Sequence, residues 1–327
     1  MVSEHPSQVR MPTATLGAGG PVVSRIGLGL AALGRPAYIT SGREEDLPDR
    51  SVSGMRTRTF SMLDAAYAAG IRYADAARSY GRAEEFLAGW LAESGHPDVI
   101  VGSKWGYRYT GDWRLDAPVQ EVKDHSLAMF TTQLAESRAL LGDRITLYQV
   151  HSLTVDSPLW ADAALLAALS RLRSEGVIIG FSATGPHQAD TIRRALSLTV
   201  DGQQLFTATE VTWNLLEPSV GPAAAEAAAA GWAVLVKEAV ANGRLTPAGG
   251  PPAPLTALAA ERGVTEDAIA LAAVLAQPWA SVVLSGAVTR TELDENLAAL
   301  TVGPLPALNL AEAPDAYWAE RAARPWH

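Results

Sequence analysis

Several short apolar runs in this sequence end in a residue whose side chain could do chemistry. Four such runs end at Asp75, Lys104, His151 and Ser182, and Tyr80 follows the first of them closely. Burying a lone charge is costly, so each residue alone is most simply a helix cap, a solvated lysine, a core histidine or a half-buried aromatic. Their appearance on consecutive runs favours one shared site.

Together these side chains could protonate a carbonyl oxygen. A phenol has an ordinary pKa of about 10, and a buried Lys104 ammonium beside Tyr80 would lower that pKa toward working pH. Asp75 would keep Lys104 charged and in place, and His151 would give a second hydrogen bond that orients the substrate. Protonation alone reduces nothing, so this set needs a hydride donor such as a nicotinamide cofactor.

Alternating strands and helices must position these residues. Short β-branched runs alternate with longer Ala- and Leu-rich helical patterns along the chain. The predicted strands are residues 24–28, 73–75, 100–104, 147–151, 178–182, 209–213, 234–237 and 282–285. The predicted helices are residues 57–69, 83–93, 125–141, 159–175, 189–196, 222–230, 254–262, 266–277 and 292–300. Glycines at 70, 142, 176 and 231 stand where helices should end, and Thr265 is a candidate N-cap.

Eight strands with right-handed crossover helices close most economically into a (β/α)₈ TIM barrel. Such a barrel takes about 250 residues plus insertions, which suits a chain of 327. An open doubly wound sheet is the alternative. Residues 11–23 read as a short N-terminal β-hairpin that turns at 17–21 and closes the N-terminal end of the barrel. No linker divides the chain, so we expect one domain over residues 1–327, with a flexible segment at residues 1–10.

Composition narrows the class of protein further. The chain has no cysteine, 48% hydrophobic and 19% charged residues and a formal net charge of −9. Disulfide and thiol chemistry are therefore absent, and the scattered basic residues argue against a nucleic-acid or membrane partner. No segment reads as an export signal or membrane span, and the histidines lack metal-binding spacing. We expect a cytoplasmic monomer or homo-oligomer without a metal.

The segment around Tyr80 resembles the signature of the aldo-keto reductase family. It covers residues 70–84, and similar segments lie at 102–105, 147–151, 180–182, 236–239, 242–245 and 294–297. The resemblance extends over roughly residues 24–300. It implies a (β/α)₈ oxidoreductase that uses NADPH to reduce a small-molecule carbonyl. The family's catalytic tetrad falls on Asp75, Tyr80, Lys104 and His151, with Tyr80 as the general acid.

The resemblance also implies a cofactor site on the later strands. Its residues would be Ser182, Glu210, Trp213, Lys237, Arg244, Ser285, Gly286, Arg290, Glu295 and Asn296. Trp213 would stack on the nicotinamide ring, and Arg290 would contact the 2′-phosphate of NADPH. The sequence departs from the family pattern at Ala183, where an Asn is common, and at Glu210, where a Gln is customary. Because Glu292 has the wrong charge for a 2′-phosphate site, NADH use stays open.

Aromatic residues crowd two of the loops that follow predicted strands. Tyr38, Trp105, Tyr107 and Trp113 would form a substrate wall suited to a flat or apolar carbonyl compound, or would only pack the loops against the rim. Two other functions remain open. One is a sugar dehydrogenase working in the oxidative direction, and the other is a cofactor-binding regulatory subunit like the potassium-channel β subunits.

Overall fold

The computed structural model describes residues 10–39 and 43–326, and eight parallel strands form a closed barrel at its centre. The strands in chain order are β1 (Thr13–Thr15), β2 (Val22–Ser24), β3 (Ile26–Gly29), β4 (Tyr73–Asp75), β5 (Ile100–Trp105), β6 (Tyr107–Tyr109), β7 (Glu121–Lys123), β8 (Ile145–Leu153), β9 (Ile178–Ala183), β10 (Thr199–Val200), β11 (Gln203–Gln204), β12 (Ala208–Thr212), β13 (Ala233–Lys237) and β14 (Val282–Ser285). The barrel order is β3, β4, β5, β8, β9, β12, β13 and β14, which then pairs with β3.

Helices follow the barrel strands and cover their outer faces. They are α1 (Arg43–Asp46), α2 (Val52–Ala68), α3 (Ala83–Ser94), α4 (Leu127–Leu141), α5 (Ala163–Ser174), α6 (Gln188–Leu196), α7 (Gly221–Ala229), α8 (Ala253–Arg262), α9 (Glu266–Leu275), α10 (Arg290–Leu297) and α11 (Pro314–Ala322). The predicted (β/α)₈ barrel is confirmed, and each predicted barrel strand lies within two residues of an observed one. Barrel strands are buried on both faces, so their apolar runs are easy to recognise.

The predicted N-terminal hairpin is also confirmed. Strands β1 and β2 pair antiparallel, and Leu16 and Val23 pack against the first residues of barrel strands, including Ala208 and Ala233. The turn needs a glycine at residue 17, where φ is +79° and a Cβ atom would lie 3.3 Å from the Ala233 amide nitrogen. The hairpin therefore seals the N-terminal end of the barrel. Residues 1–9, most of the predicted flexible segment, lie outside the described residues.

Helix boundaries follow the predicted punctuation closely. Gly70, Gly142, Gly176 and Gly231 all have positive φ after α2, α4, α5 and α7. Thr265 occupies the N-cap position of α9, although its side chain makes no capping hydrogen bond. The predicted helix at 159–175 is divided in the structure, because a 3₁₀ turn at Pro158–Ala161 precedes α5.

The C-terminal segment is an element that the sequence did not predict. Helix α11 lies over the carboxyl ends of β12 and β13, where Arg321 forms an ion pair with Glu238 and Tyr317 accepts a hydrogen bond from Asn214 at 2.9 Å. Long-range contacts therefore hold this short helix at the mouth of the barrel. Over residues 10–39 and 43–326, no helix is long and apolar enough to cross a membrane.

Candidate active site

The barrel brings Asp75, Lys104, Tyr80 and His151 together at the carboxyl ends of its strands. Asp75 ends β4, Lys104 lies near the end of β5, and Tyr80 lies in the loop between β4 and α3. The Lys104 ammonium forms an ion pair with Asp75 and lies 3.5 Å from the Tyr80 hydroxyl oxygen. Because closed parallel strands all end at one rim, residues far apart in sequence meet here.

His151 packs against the Tyr80 ring. The two rings meet edge to face with centroids 5.5 Å apart, and the Ser79 hydroxyl lies 3.3 Å from Nδ1 of His151. Burial lowers the pKa of His151 well below its ordinary value, and the charges of Lys104 and Arg35 lower it further. The imidazole is therefore neutral at neutral pH and can act as a hydrogen-bond partner for a substrate oxygen.

A second carboxylate joins this group. The Glu210 carboxylate on β12 lies 3.2 Å from the Lys104 ammonium and accepts a hydrogen bond of 3.1 Å from Gln149. Burial opposes the charge of Lys104, yet the Asp75 and Glu210 carboxylates raise its pKa well above the ordinary value. Burial raises the pKa of Asp75 to about 7, against the opposing effect of Lys104.

The pKa of Tyr80 differs in direction from the sequence-based expectation. Burial raises this pKa above its ordinary value, and the lowering by Lys104 is opposed by the Asp75 and Glu210 carboxylates. The predicted lowering is therefore wrong for the resting site, because the buried phenol is costly to ionise and because two carboxylates, not one, flank the lysine. Tyr80 holds its proton at neutral pH, which suits a proton donor.

Two cavities open at the mouth of the barrel and meet at Tyr80. The larger, of about 410 Å³, runs from Asp75 and Glu210 to the loop between β14 and α10. The smaller, of about 190 Å³, includes His151 in its wall and is covered by the C-terminal segment. Tyr38, Tyr80, Lys237 and Glu238 line both cavities.

Six of the predicted cofactor residues line the larger cavity. They are Glu210, Lys237, Ser285, Gly286, Glu295 and Asn296. Of these, Ser285 donates a hydrogen bond to the Asn296 side chain at 2.7 Å, which joins the end of β14 to α10.

The other four predicted cofactor residues do not line this cavity. The Ser182 hydroxyl accepts a hydrogen bond from the Ser152 amide at 2.8 Å. Trp213 directly follows β12, and its ring packs against Trp279 with 5.9 Å between the ring centroids. A stacking role for Trp213 therefore lacks the required placement.

The two predicted cofactor arginines are bonded to carboxylates of the chain itself. Arg244 forms ion pairs with Glu312 and Glu320 of the C-terminal segment. Arg290 binds Asp294, four residues on, with 2.8 Å between Nε and Oδ1, and its side chain is 63% exposed. In the structure both arginines therefore bind carboxylates of the protein and do not line the larger cavity.

Only two of the four predicted substrate residues line the smaller cavity. Tyr38 and Tyr107 do so, whereas Trp105 is fully buried and packs against Phe130, and Trp113 packs against Phe86. The structure therefore places two of the four predicted aromatic residues in the wall of this cavity. Large aromatic side chains on these loops also serve to pack the loops onto the barrel, which the spacing alone does not reveal.

Six charged residues line the smaller cavity, and the sequence analysis missed five of them. They are Arg35, Glu121, Lys237, Glu238, Arg321 and Arg324, of which only Lys237 was singled out from the sequence. Glu238 directly follows β13. Because active-site residues of such barrels lie at the carboxyl ends of the strands, its position in the sequence could have indicated it. Arg35 and Arg321 had no such signal, because only the folded chain brings their loops to the mouth.

A barrel with ionisable side chains gathered at one rim belongs to the class of (β/α)₈ enzyme folds. The chain belongs to the aldo/keto reductase family, whose sequence model matches residues 25–315. Members of this family are nicotinamide-dependent oxidoreductases.

Two curated relatives and one solved structure agree with this assignment. The aldo-keto reductase str7 of Strobilurus tenacellus is 29% identical over 192 residues, covering 57% of this chain and 49% of the relative. The D-threo-aldose 1-dehydrogenase of a Pseudomonas species is 28% identical over 192 residues, covering 54% of this chain and 56% of the relative. The chain thus matches about half the length of these relatives. The structure of a Bacillus halodurans aldo-keto reductase in its holo form superposes with a TM-score of 0.66 at 21% identity, covering 95% of this chain and 96% of that chain, and shows the shared fold.

Proposed function

We propose that this protein transfers a hydride from a nicotinamide cofactor to the carbonyl carbon of a small aldehyde or ketone, with Tyr80 as proton donor. The observation that carries the proposal is the position of the Tyr80 phenol. It lies where the two cavities meet, 3.5 Å from the Lys104 ammonium and edge-on to His151. A carbonyl in the smaller cavity and a cofactor ring in the larger one would both reach this point.

The larger cavity is lined along its length by residues that the family resemblance assigns to the cofactor. It extends from the buried charges at Tyr80, past the end of β13, to Ser285 and α10. Asn242 lines it with φ of +54°, and its buried side-chain oxygen has no hydrogen-bond partner among the described residues. Such an unsatisfied acceptor is costly unless a ligand satisfies it. When bound there, the cofactor supplies the hydride.

The side chains of the tetrad then have distinct tasks. Tyr80 donates its proton to the carbonyl oxygen as negative charge develops there, and His151 hydrogen-bonds to the same oxygen. Lys104 stabilises the phenolate that Tyr80 becomes after it donates its proton, and Asp75 holds Lys104 in place. Carbonyl reduction thus needs no metal ligand from this chain.

The family resemblance favours NADPH as the cofactor. The sequence predicts that Arg290 selects NADPH by contacting its 2′-phosphate. Because Arg290 is bonded to Asp294 and lies outside the larger cavity, this contact does not support a preference for the 2′-phosphate. The proposal therefore takes NADPH or NADH as the hydride donor.

The smaller cavity favours a second candidate, a sugar dehydrogenase. Its wall pairs guanidinium groups with carboxylates, as in Arg35 with Glu121 and Arg321 with Glu238. Such pairs offer donors and acceptors side by side, which suits vicinal hydroxyl groups, and aromatic faces such as Tyr107 complete the wall. The match to a D-threo-aldose 1-dehydrogenase points the same way. Turnover of aldoses with oxidised cofactor, without turnover of aldehydes with reduced cofactor, would select this candidate.

Replacement of the acid tests the proposed function. Tyr80→Phe should lower carbonyl reduction by about 10²–10⁴-fold, because it removes the proton donor and leaves the cofactor contacts intact. Tyr109→Phe is the matched control, since Tyr109 lines neither cavity. The measurements are initial rates over a panel of aldehydes, ketones and sugars, with cofactor affinity from fluorescence titration. Near-normal turnover by Tyr80→Phe would overturn the proposal.

A further inference from the structure

Lys104 is held between two carboxylates on opposite sides of the barrel interior. Asp75 lies on the adjacent strand β4, and Glu210 reaches Lys104 from β12, with 3.2 Å between the ammonium and the Glu210 oxygen. All three side chains are almost completely buried. Two carboxylates share one ammonium, so this cluster carries one negative charge in excess when all three groups are ionised.

Glu210 has two polar partners beside it. The Lys104 ammonium lies 3.2 Å from its carboxylate, and Gln149 donates an N–H hydrogen bond of 3.1 Å to it. The Lys237 ammonium lies nearer the rim. Lys237 pairs in register with Thr212, two residues beyond Glu210, and its ammonium lies 3.8 Å from the Glu238 carboxylate. The Asp75 and Glu210 carboxylates therefore share Lys104 as their cation deep in the site, whereas Lys237 is paired with Glu238.

Glu210 faces the part of the larger cavity where the reacting ring would lie. This step rests on the proposed function. The carbonyl must touch the Tyr80 hydroxyl to receive its proton, and the hydride donor must be in van der Waals contact with that carbonyl. Asp75, Tyr80 and Glu210 line the same end of the larger cavity. The cofactor ring therefore occupies the end that Glu210 borders.

We propose that Glu210 makes this site bind the oxidised nicotinamide cofactor more tightly, relative to the reduced cofactor, than a neutral residue would. The oxidised ring carries a positive charge and the reduced ring is neutral, so only the oxidised form is attracted by the excess carboxylate. In a buried site this attraction is weakly screened. By linkage, the bound cofactor is biased toward its oxidised form by the same factor, which favours hydride donation.

The test compares Glu210→Gln with the wild type in binding, without turnover. Glutamine keeps the size of the side chain and removes its charge. Each protein is titrated at pH 8 with NAD⁺ and NADH, and separately with NADP⁺ and NADPH, by calorimetry. In Glu210→Gln we expect the affinity for the oxidised form to fall about 10- to 100-fold, with less than a threefold change for the reduced form. Glu217→Gln is the matched control, because Glu217 is buried in the loop after β12 but lines neither cavity.

The outcomes separate this inference from the proposed function. If the wild type binds none of the four cofactor forms, the proposed function fails. If they bind and the ratio of oxidised to reduced affinity in Glu210→Gln stays within threefold of the wild-type ratio, Glu210 has no such role. Glu210→Met gives the same comparison should the glutamine variant not fold.

Discussion

Tyr80 illustrates how a single residue's chemistry depends on the balance of its neighbours. The Lys104 ammonium favours the phenolate, but burial and the Asp75 and Glu210 carboxylates favour the phenol. At rest Tyr80 is therefore protonated. It can give this proton to a carbonyl oxygen when negative charge develops on that oxygen. The same residue types with one carboxylate fewer would give a more acidic phenol.

The partner of Arg290 leads to a prediction about cofactor choice. Its guanidinium is bonded to Asp294 on the exposed face of α10, and such exposed pairs contribute little. Arg290→Ala should therefore change NADPH affinity by less than about threefold, well under the 1.4 kcal/mol that corresponds to a factor of ten. Fluorescence titration of both proteins with NADPH and NADH measures this. A selective tenfold loss of NADPH binding would restore Arg290 to the cofactor site.

At the scale of elements, the ion pair between Arg321 and Glu238 is one of the contacts that attach helix α11 to the barrel. The Arg321 Nε donates to both oxygens of Glu238, at 3.0 and 2.9 Å, and the guanidinium lies 5.3 Å from the Trp318 ring centroid. Burial opposes the charge of Glu238, yet Arg321 and Lys237 hold its pKa at about 2. The pair joins the last helix to the end of β13 and to both cavities.

Removing this arginine should loosen α11. Arg321→Ala leaves the Glu238 carboxylate buried with Lys237 as its remaining cation, and losing one partner of a buried pair costs about 3–5 kcal/mol. We expect a matching fall in the free energy of unfolding and faster amide exchange across Pro314–Ala322.

An exposed pair with similar geometry provides the control. Arg193 makes a comparable double contact with Glu226, but both side chains are nearly half exposed. Arg193→Ala should cost less than about 1 kcal/mol. Equal effects of the two substitutions on denaturant unfolding would show that α11 is held by other contacts.

At the scale of the whole molecule, buried histidines couple global stability to pH. A ring nitrogen of His125 lies 3.0 Å from the Ser157 hydroxyl and the other lies 2.8 Å from the His151 carbonyl oxygen, so His125 joins the segment before α4 to β8 and to the loop after β8. Burial lowers the pKa of His125 to about 4, and the pKa of His151 is also lowered by burial. The folded protein therefore keeps both rings neutral where the unfolded chain takes up protons.

The sign of the pH effect follows from this difference. Between pH 4 and the ordinary histidine pKa near ~6.5, the unfolded chain binds more protons at these two positions, so they make stability rise with pH. His125→Gln should reduce the slope of unfolding free energy against pH by up to about 1.4 kcal/mol per pH unit in this window. Urea unfolding of both proteins from pH 4 to 8 measures it. An unchanged slope, or a change confined to pH above 7, would contradict the prediction.

Much of the architecture could be predicted from the sequence because it is locally encoded. The barrel strands are apolar runs buried on both faces, and the hairpin at β1 and β2 depends on a glycine turn. Once a closed barrel is predicted, the convergence of Asp75, Tyr80, Lys104 and His151 follows, since all of them lie at strand ends or in the loops just after them. The sequence by itself therefore determined the fold and brought the central residues to one rim.

The partners of these residues and the pKa values of their side chains became known only from the tertiary structure. Glu210 pairs with Lys104 across the barrel. Glu238 pairs with Arg321 of helix α11, which the sequence pattern did not predict. Arg290 is bonded to Asp294 on its own helix, and the Trp213 ring packs against Trp279 instead of lining the larger cavity. Burial and long-range contacts set these outcomes. They depend on the three-dimensional neighbourhood of each side chain, which local spacing does not contain.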